Sequence, residues 1–261
     1  YTPVESDHMR DSSLCGSCHT LYTTPVDESG EPTIDGHFAE QTPFLEWRNS
    51  QFSSSQNGPV ETCQDCHEPS TSRDGEPIET QIALSKLGFA YSTEEVPKRS
   101  PYGRHTFIGG NTLVPAIIRD NAETLNPIAS TEAFNELIDR VQRQLQNRTA
   151  TVELVDSSVS ADGLTLDVET TIETGHKFPT GYPSRRAWLH VKVQDDSGEV
   201  VFESGAHDDI GQLLGPDDQP LPTEQPGNGI VPHQTTIDSP EQIQIYQGVM
   251  ENAAGEVTWR L

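Results

Sequence analysis

The sequence predicts an α+β protein, with a loop-rich N-terminal region containing a few helices followed by an antiparallel β-sandwich-like C-terminal domain. Three features carry that expectation. Residues 1–130 show little hydrophobic periodicity and are rich in Ser, Thr, Pro, Gly and acidic residues, yet they hold all four cysteines. Residues 131–148 follow the 3.6-residue period of an amphipathic helix. Beyond Thr149 the period falls to two, in short runs separated by turn residues. The expected organisation is therefore a cysteine-bearing region over 1–130, a connecting helix over 131–148 and a β domain over 149–261. A chain of 261 residues is long enough for one large or two ordinary domains.

Taken in order, the first region is punctuated by Leu14-Cys15-Gly16-Ser17-Cys18-His19-Thr20 and Thr62-Cys63-Gln64-Asp65-Cys66-His67-Glu68. Between them lies a helix start: Thr42 stands as N-cap, Pro43 at the first helical position and Glu46 in the first turn. Phe44 and Trp47, three apart, share a face of that helix. In the connecting helix Phe134, Leu137, Ile138, Val141 and Leu145 form the apolar stripe, with Ser130 or Thr131 as cap. After it, Ala150, Val152 and Leu154 alternate with polar residues, as do Leu164, Leu166 and Val168, with a turn at Ala161-Asp162-Gly163. Residues 187–193 read as one strand, Asp195-Asp196-Ser197-Gly198 as a turn and Glu199-Val200-Val201-Phe202 as its partner. Gln242 to Tyr246 alternates too, and Val257 to Leu261 reads as a strand that stops abruptly, which suggests a continuation. Several short strands with turn signals imply a sandwich.

Each cysteine stretch is a C-x-x-C-H pentad, the attachment pattern of c-type haem: two thiols form thioethers to the porphyrin vinyl groups and the next histidine turns its ring onto the iron. Cys15, Cys18 and His19 would hold one covalent haem; Cys63, Cys66 and His67 would hold a second. A four-cysteine zinc site spaces its knuckles about 15–20 residues apart, whereas 44 residues separate Cys18 from Cys63. A thioredoxin-like pair needs a βαβ setting, and a disulfide framework has no reason to place histidine after both pairs. With 32% hydrophobic residues, part of the apolar interior is expected to be porphyrin, and a fixed cofactor can order loop-rich sequence as a metal does.

An electron-carrying haem iron takes two axial ligands. Seven histidines remain outside the pentads and there are two methionines, so supply favours bis-histidine ligation. His105 lies in the aromatic and glycine-rich stretch 101–111, and His176 in the Gly- and Pro-rich loop 174–186; both settings would present an imidazole rigidly. His8, just before the first pentad, is a further candidate. His190 alternates with Leu189 and Val191, and His37, His207 and His233 sit in polar loops. Arg185 and Arg186 could pair with haem propionates, since guanidinium matches carboxylate geometry, or could balance an acidic surface.

Together these blocks, with Glu40 to Trp47, Arg104 to Asn111, the loop Gly175 to Arg186 and Gln244-Ile245-Tyr246, resemble the multihaem cytochrome c family related to cytochrome c554. The resemblance covers most of the chain. It implies electron transfer with His105 and His176 as distal haem ligands, the latter supplied by the β domain.

Acidic residues outnumber basic ones 41 to 16, a net charge of −25 that opposes nucleic acid and anionic membranes. Apolar runs are too short for a transmembrane segment. The chain begins at Tyr1 without a basic-then-apolar start, and is expected to be an exported product, periplasmic, cell-surface or extracellular, whose signal peptide is removed. The leading expectation is a dihaem electron carrier, not an enzyme, working with a redox partner protein or neighbouring copies of itself. One alternative is a haem reductase, peroxidase or sulfur-compound oxidoreductase with an open iron. Another is a subunit of a filament or larger multihaem assembly, joined through strand edges.

Overall fold

The computed structural model describes residues 6–27, 29–32, 37–54, 58, 60–72, 74–80, 98–252 and 254–258. In chain order its elements are α1 (Ser12–Gly16), β1 (Leu21–Thr23), β2 (Phe38–Gln41), α2 (Pro43–Arg48), α3 (Cys63–His67), α4 (Leu113–Asp120), α5 (Ala122–Leu125), α6 (Thr131–Asn147), β3 (Ala150–Ser160), β4 (Gly163–Ile172), β5 (Arg186–Trp188), β6 (Val191–Gln194), β7 (Val200–Ser204), β8 (Ile245–Gln247), β9 (Met250–Glu251) and β10 (Val257–Thr258). Among the described residues the strands pair antiparallel in twos: β1 with β2, β3 with β4, β5 with β8, β6 with β7 and β9 with β10. A few helices, most of them in the first half, and several antiparallel sheets make the mixed α+β class the sequence predicts. The chain forms two units, one from residues up to 17 and 47–175, the other from 18–46 and 176–261.

Within the first unit, local chemistry sets the helix ends. Asp11 caps α1, its carboxylate accepting the Ser13 N–H at 2.7 Å. At α3, the Thr62 side chain accepts the Asp65 N–H while the Asp65 carboxylate accepts the Thr62 N–H, a reciprocal capping box. Of the two caps open at the start of α6, Ser130 is the one used, accepting the Ala133 N–H. Ion pairs one turn apart, Glu136 with Arg140 and Asp139 with Arg143, line the outer face of α6. Val141 is buried on the inner face, and α6 packs against α4. The β3–β4 hairpin follows directly, eleven residues against ten with a bulge beyond Leu154.

The second unit has an apolar core of Leu213, Val231, Ile243 and Ile245, flanked by Trp188 and Leu221. The single strand expected over 187–193 is two strands in the structure, β5 and β6, with Leu189 and His190 between them. There the chain changes partner, from β8 to β7. The reason lies at Gly205, which has φ +75 and whose absent Cβ would collide with the Leu189 carbonyl oxygen; its own carbonyl accepts the Trp188 indole N–H at 3.0 Å. Of the expected terminal strand, Val257 and Thr258 form β10, and 259–261 lie outside the described residues.

One turn recurs through the second unit. Asp27, Asp195, Asp208 and Asn252 each accept, on one side-chain oxygen, the N–H groups two and four residues on, at 2.8–3.0 Å. A left-handed glycine stands three residues on in every case: Gly30, Gly198, Gly211 and Gly255. Ser29 and Ser197 hydroxyls, and then backbone N–H groups, hold the Asp27 and Asp195 carboxyls below their ordinary pKa.

Candidate functional site

Both pentads begin on short, sharply capped helices of the first unit. Cys15 lies in α1, with Cys18 and His19 in the turn that follows it; Cys63, Cys66 and His67 all lie in α3. The two helices pack together. The Ser12 hydroxyl, buried, accepts the Cys63 N–H at 3.1 Å, and the Gln64 amide donates to the carbonyls of Met9 and Asp11, both at 3.1 Å. Cys63 is a neighbour of the Cys15 thiol. Burial above all, then neighbouring Cys63 and Glu68, pushes the Cys15 thiol up to about 11. The Cys66 thiol is also raised, chiefly by burial, and sits 3.7 Å from the Glu61 carboxylate. None of the four cysteines is in a disulfide.

His67 is fixed by a backbone clamp that no sequence pattern announced. Its Nδ1 bonds the Ile108 carbonyl, and its own carbonyl accepts the Ile108 N–H at 3.2 Å. A Nδ1–H spent on a carbonyl selects the tautomer whose lone pair is on Nε2, the arrangement found at metal-bound imidazoles. The same segment carries His105. Arg104 N–H donates to the Pro69 carbonyl at 3.0 Å, and a Cβ at Gly103 would press on Glu68. The His105 ring stacks between Tyr102 and Phe107, and its Nε2 is 3.9 Å from the Glu68 carboxylate. Phe107 adopts φ 46, unusual for an aromatic residue, and leaves its side chain largely exposed. Strain of this kind persists only where neighbours enforce it, here the two bonds from Ile108 to His67.

In the second unit, Glu46 organises the loop that bears His176. One Glu46 oxygen accepts both the Lys177 N–H at 3.0 Å and the Thr180 hydroxyl at 2.6 Å, while its other oxygen accepts the Thr42 hydroxyl. His176 Nδ1 lies 3.0 Å from the Lys177 carbonyl, the same tautomer-setting arrangement as His67. A cavity of about 210 Å³ opens beside this loop, lined by Thr42, Glu46, Lys177, Thr180, Tyr182 and Arg185 among others.

The remaining candidates separate by their partners. His8 sits in a 3-10 turn, Asp7–Arg10, that packs against α1; its Nδ1 is 2.6 Å from the Ser6 hydroxyl. Arg185 gives one N–H to the Thr180 carbonyl and is otherwise exposed. Arg186 is held by the fold of its own unit: it donates through both terminal nitrogens to the almost fully buried Glu224 carboxylate, at 2.7 Å each, and to the Gly211 carbonyl. His190 turns Nε2 onto Glu203 at 2.7 Å, the opposite arrangement to His67. His207 lies edge-on to Trp188, and His233 bonds the Ile245 carbonyl through Nδ1.

The residues present fit haem. The cysteines have thioether spacing, His67 has the ligating tautomer, and the described residues of the first unit gather few buried apolar side chains. Among its described residues only Ile108 and Val141 are buried hydrophobic side chains, while Leu14, Phe107, Leu113, Val114 and Ile117 remain exposed. No described group of three or more His, Cys, Asp or Glu side chains is gathered to hold a bare metal ion. No family model, curated protein or solved structure matches the chain.

Proposed function

We propose that the chain is a dihaem c-type cytochrome that passes single electrons between two bis-histidine haems and on to a redox partner or a neighbouring copy. The observation that carries this reading is His67: a histidine that closes a C-x-x-C-H pentad with its Nδ1 bonded to the Ile108 carbonyl. Haem, when bound, supplies an iron that gains and loses one electron. The chain's own residues do the rest. Cys15, Cys18, Cys63 and Cys66 would tether the porphyrins, and His19 and His67 would hold the irons. His105 and His176 would supply the second ligands, each on a loop braced from outside: the first by Ile108 and Pro69, the second by Glu46. Arg185, with guanidinium donors beyond the one on Thr180, receives a propionate.

Packing of α1 on α3, with Cys15 beside Cys63, supports two haems close enough for transfer between them. No helix among the described residues is long and apolar enough to cross a membrane. The charge of −25 favours a cationic docking patch on the partner. Because haem c is attached outside the cytoplasm, the working compartment is periplasmic, cell-surface or extracellular.

The test is the absorption spectrum of the purified ferric protein, with haem counted on the same sample. Two low-spin haems per chain are expected. His105→Ala and His176→Ala should each convert one of them to a high-spin form. An unchanged spectrum in both variants removes these residues as ligands, and one high-spin haem in the unaltered protein favours an enzyme with an open iron instead.

A further inference from the structure

The β3–β4 hairpin has two unlike faces. In the register of the pair, Ala150 with Ile172, Val152 with Thr170, Leu154 with Val168, Ser157 with Leu166 and Val159 with Leu164 stand as rungs on one side. The bulge that inserts Val155 shifts the phase of β3, so that Val159 returns to the face of Leu154. Every rung on this side offers at least one branched apolar side chain, and none carries a charge. The alternate rungs include Glu153 with Glu169 and Asp156 with Asp167, like charges directly opposite each other with no base among them.

Among the described residues much of the apolar side lies open, while Ala150, Leu166, Thr170 and Ile172 are half-buried. Val152, Leu154, Val159, Leu164 and Val168 are between 40% and 82% exposed. Together they make a patch on the order of 500 Å², beyond what isolated surface hydrophobics require. A two-stranded ribbon with one open apolar face is marginal by itself and gains from a second layer. Two such faces laid together bury about 1,000 Å², the lower end of what an interface between copies needs and the size expected of a weak, condition-dependent dimer.

We propose that a second copy of this chain docks here, hairpin on hairpin, with the apolar faces together and the acidic faces outward. An identical face supplies what this one lacks, whereas a charged partner meets no counter-charge on it. Pairing edge to edge would instead bring Glu153 and Asp156 of one β3 alongside those of another. A two-fold arrangement of the faces avoids this and closes the assembly at two copies. Each copy carries −25, so long-range repulsion opposes the encounter and salt relieves it. The inference is independent of haem: its readout is mass, not spectrum.

Sedimentation equilibrium of the full haem-loaded chain, from low to molar salt, tests it. A monomer that becomes a dimer as salt rises is expected. Leu154→Glu and Val159→Glu should each weaken the dimer by about a hundredfold, because each buries a charge in an apolar contact. Asp156→Asn, on the outward face, should leave it intact. Both glutamate variants alter exposed side chains, so their absorption spectra should match the parent and show them folded. A chain that stays monomeric at every salt concentration overturns the proposal, as does a dimer indifferent to both glutamate variants.

Discussion

At the scale of single residues, Glu46 shows how much a short-range reading leaves out. Its place in the first turn of α2 accounts for an acid there, through the helix dipole. Its two strongest bonds, however, reach Lys177 and Thr180, more than 130 residues along the chain. A carboxylate that accepts a backbone N–H and a hydroxyl on one oxygen is a charge-assisted anchor, and each such bond contributes about 1.5–3 kcal/mol when the acceptor is charged. Glu46→Ala should therefore cost about 3 kcal/mol of stability. On the proposed assignment of His176 as a haem ligand, it should also loosen the loop enough to give a high-spin fraction. Glu46→Gln keeps an acceptor oxygen and should cost about 1 kcal/mol with little spectral change. Thermal unfolding and the ferric spectrum, read on the same samples, check both. A destabilised Glu46→Ala protein with an unaltered spectrum would leave Glu46 structural only, with no part in positioning His176.

At the scale of elements, the recurrent turn gives a sharper test because the chain contains its own control. Asn252 builds the same turn as Asp195 without a charge. Asp195→Asn should therefore preserve the β6–β7 hairpin, while Asp195→Ala removes the acceptor for Ser197 and Glu199 and lowers the melting temperature. The Asp195 carboxyl is held below its ordinary value in the fold. Its contribution is thus present above the unfolded carboxylate pKa and is lost as pH falls through the folded one. The Asn variant should lack that part of the acid sensitivity, which melts recorded between neutral pH and about pH 3 would reveal. Elements whose causes are local were legible in the sequence: the Ser130 cap and apolar stripe of α6, the start of α2 at Pro43 and the spacing of both pentads. The division of 187–193 into β5 and β6 was not, because it depends on a glycine sixteen residues past Leu189 and on β8 far along the chain. The Ile108 clamp on His67 was equally hidden, since a carbonyl has no signature in a sequence. The pairing of Arg186 with Glu224 was hidden for the same reason, as Glu224 lies 38 residues away.

At the scale of the whole molecule, the two units differ in what holds them. The second has its own apolar centre in Leu213, Val231, Ile243 and Ile245. The first has Ile108 and Val141 as its fully buried hydrophobic side chains among the described residues, little to set against the entropy of ordering the described loops. A porphyrin bonded at Cys15 or Cys63 would supply that burial and shorten the loops of the unfolded chain at once. A protein with Cys15→Ala, Cys18→Ala, Cys63→Ala and Cys66→Ala cannot take up covalent haem. Its amides in α4 and α6 should then exchange with solvent about a hundredfold faster than in the parent, while those of Ile243 and Ile245 keep their protection. Equal protection in both units of the variant would mean that the first is held by side chains alone, and the haem-centred account of its stability would fail. Loss of protection in both would mean that the second unit depends on the first, which the separate core of Leu213 and its neighbours argues against.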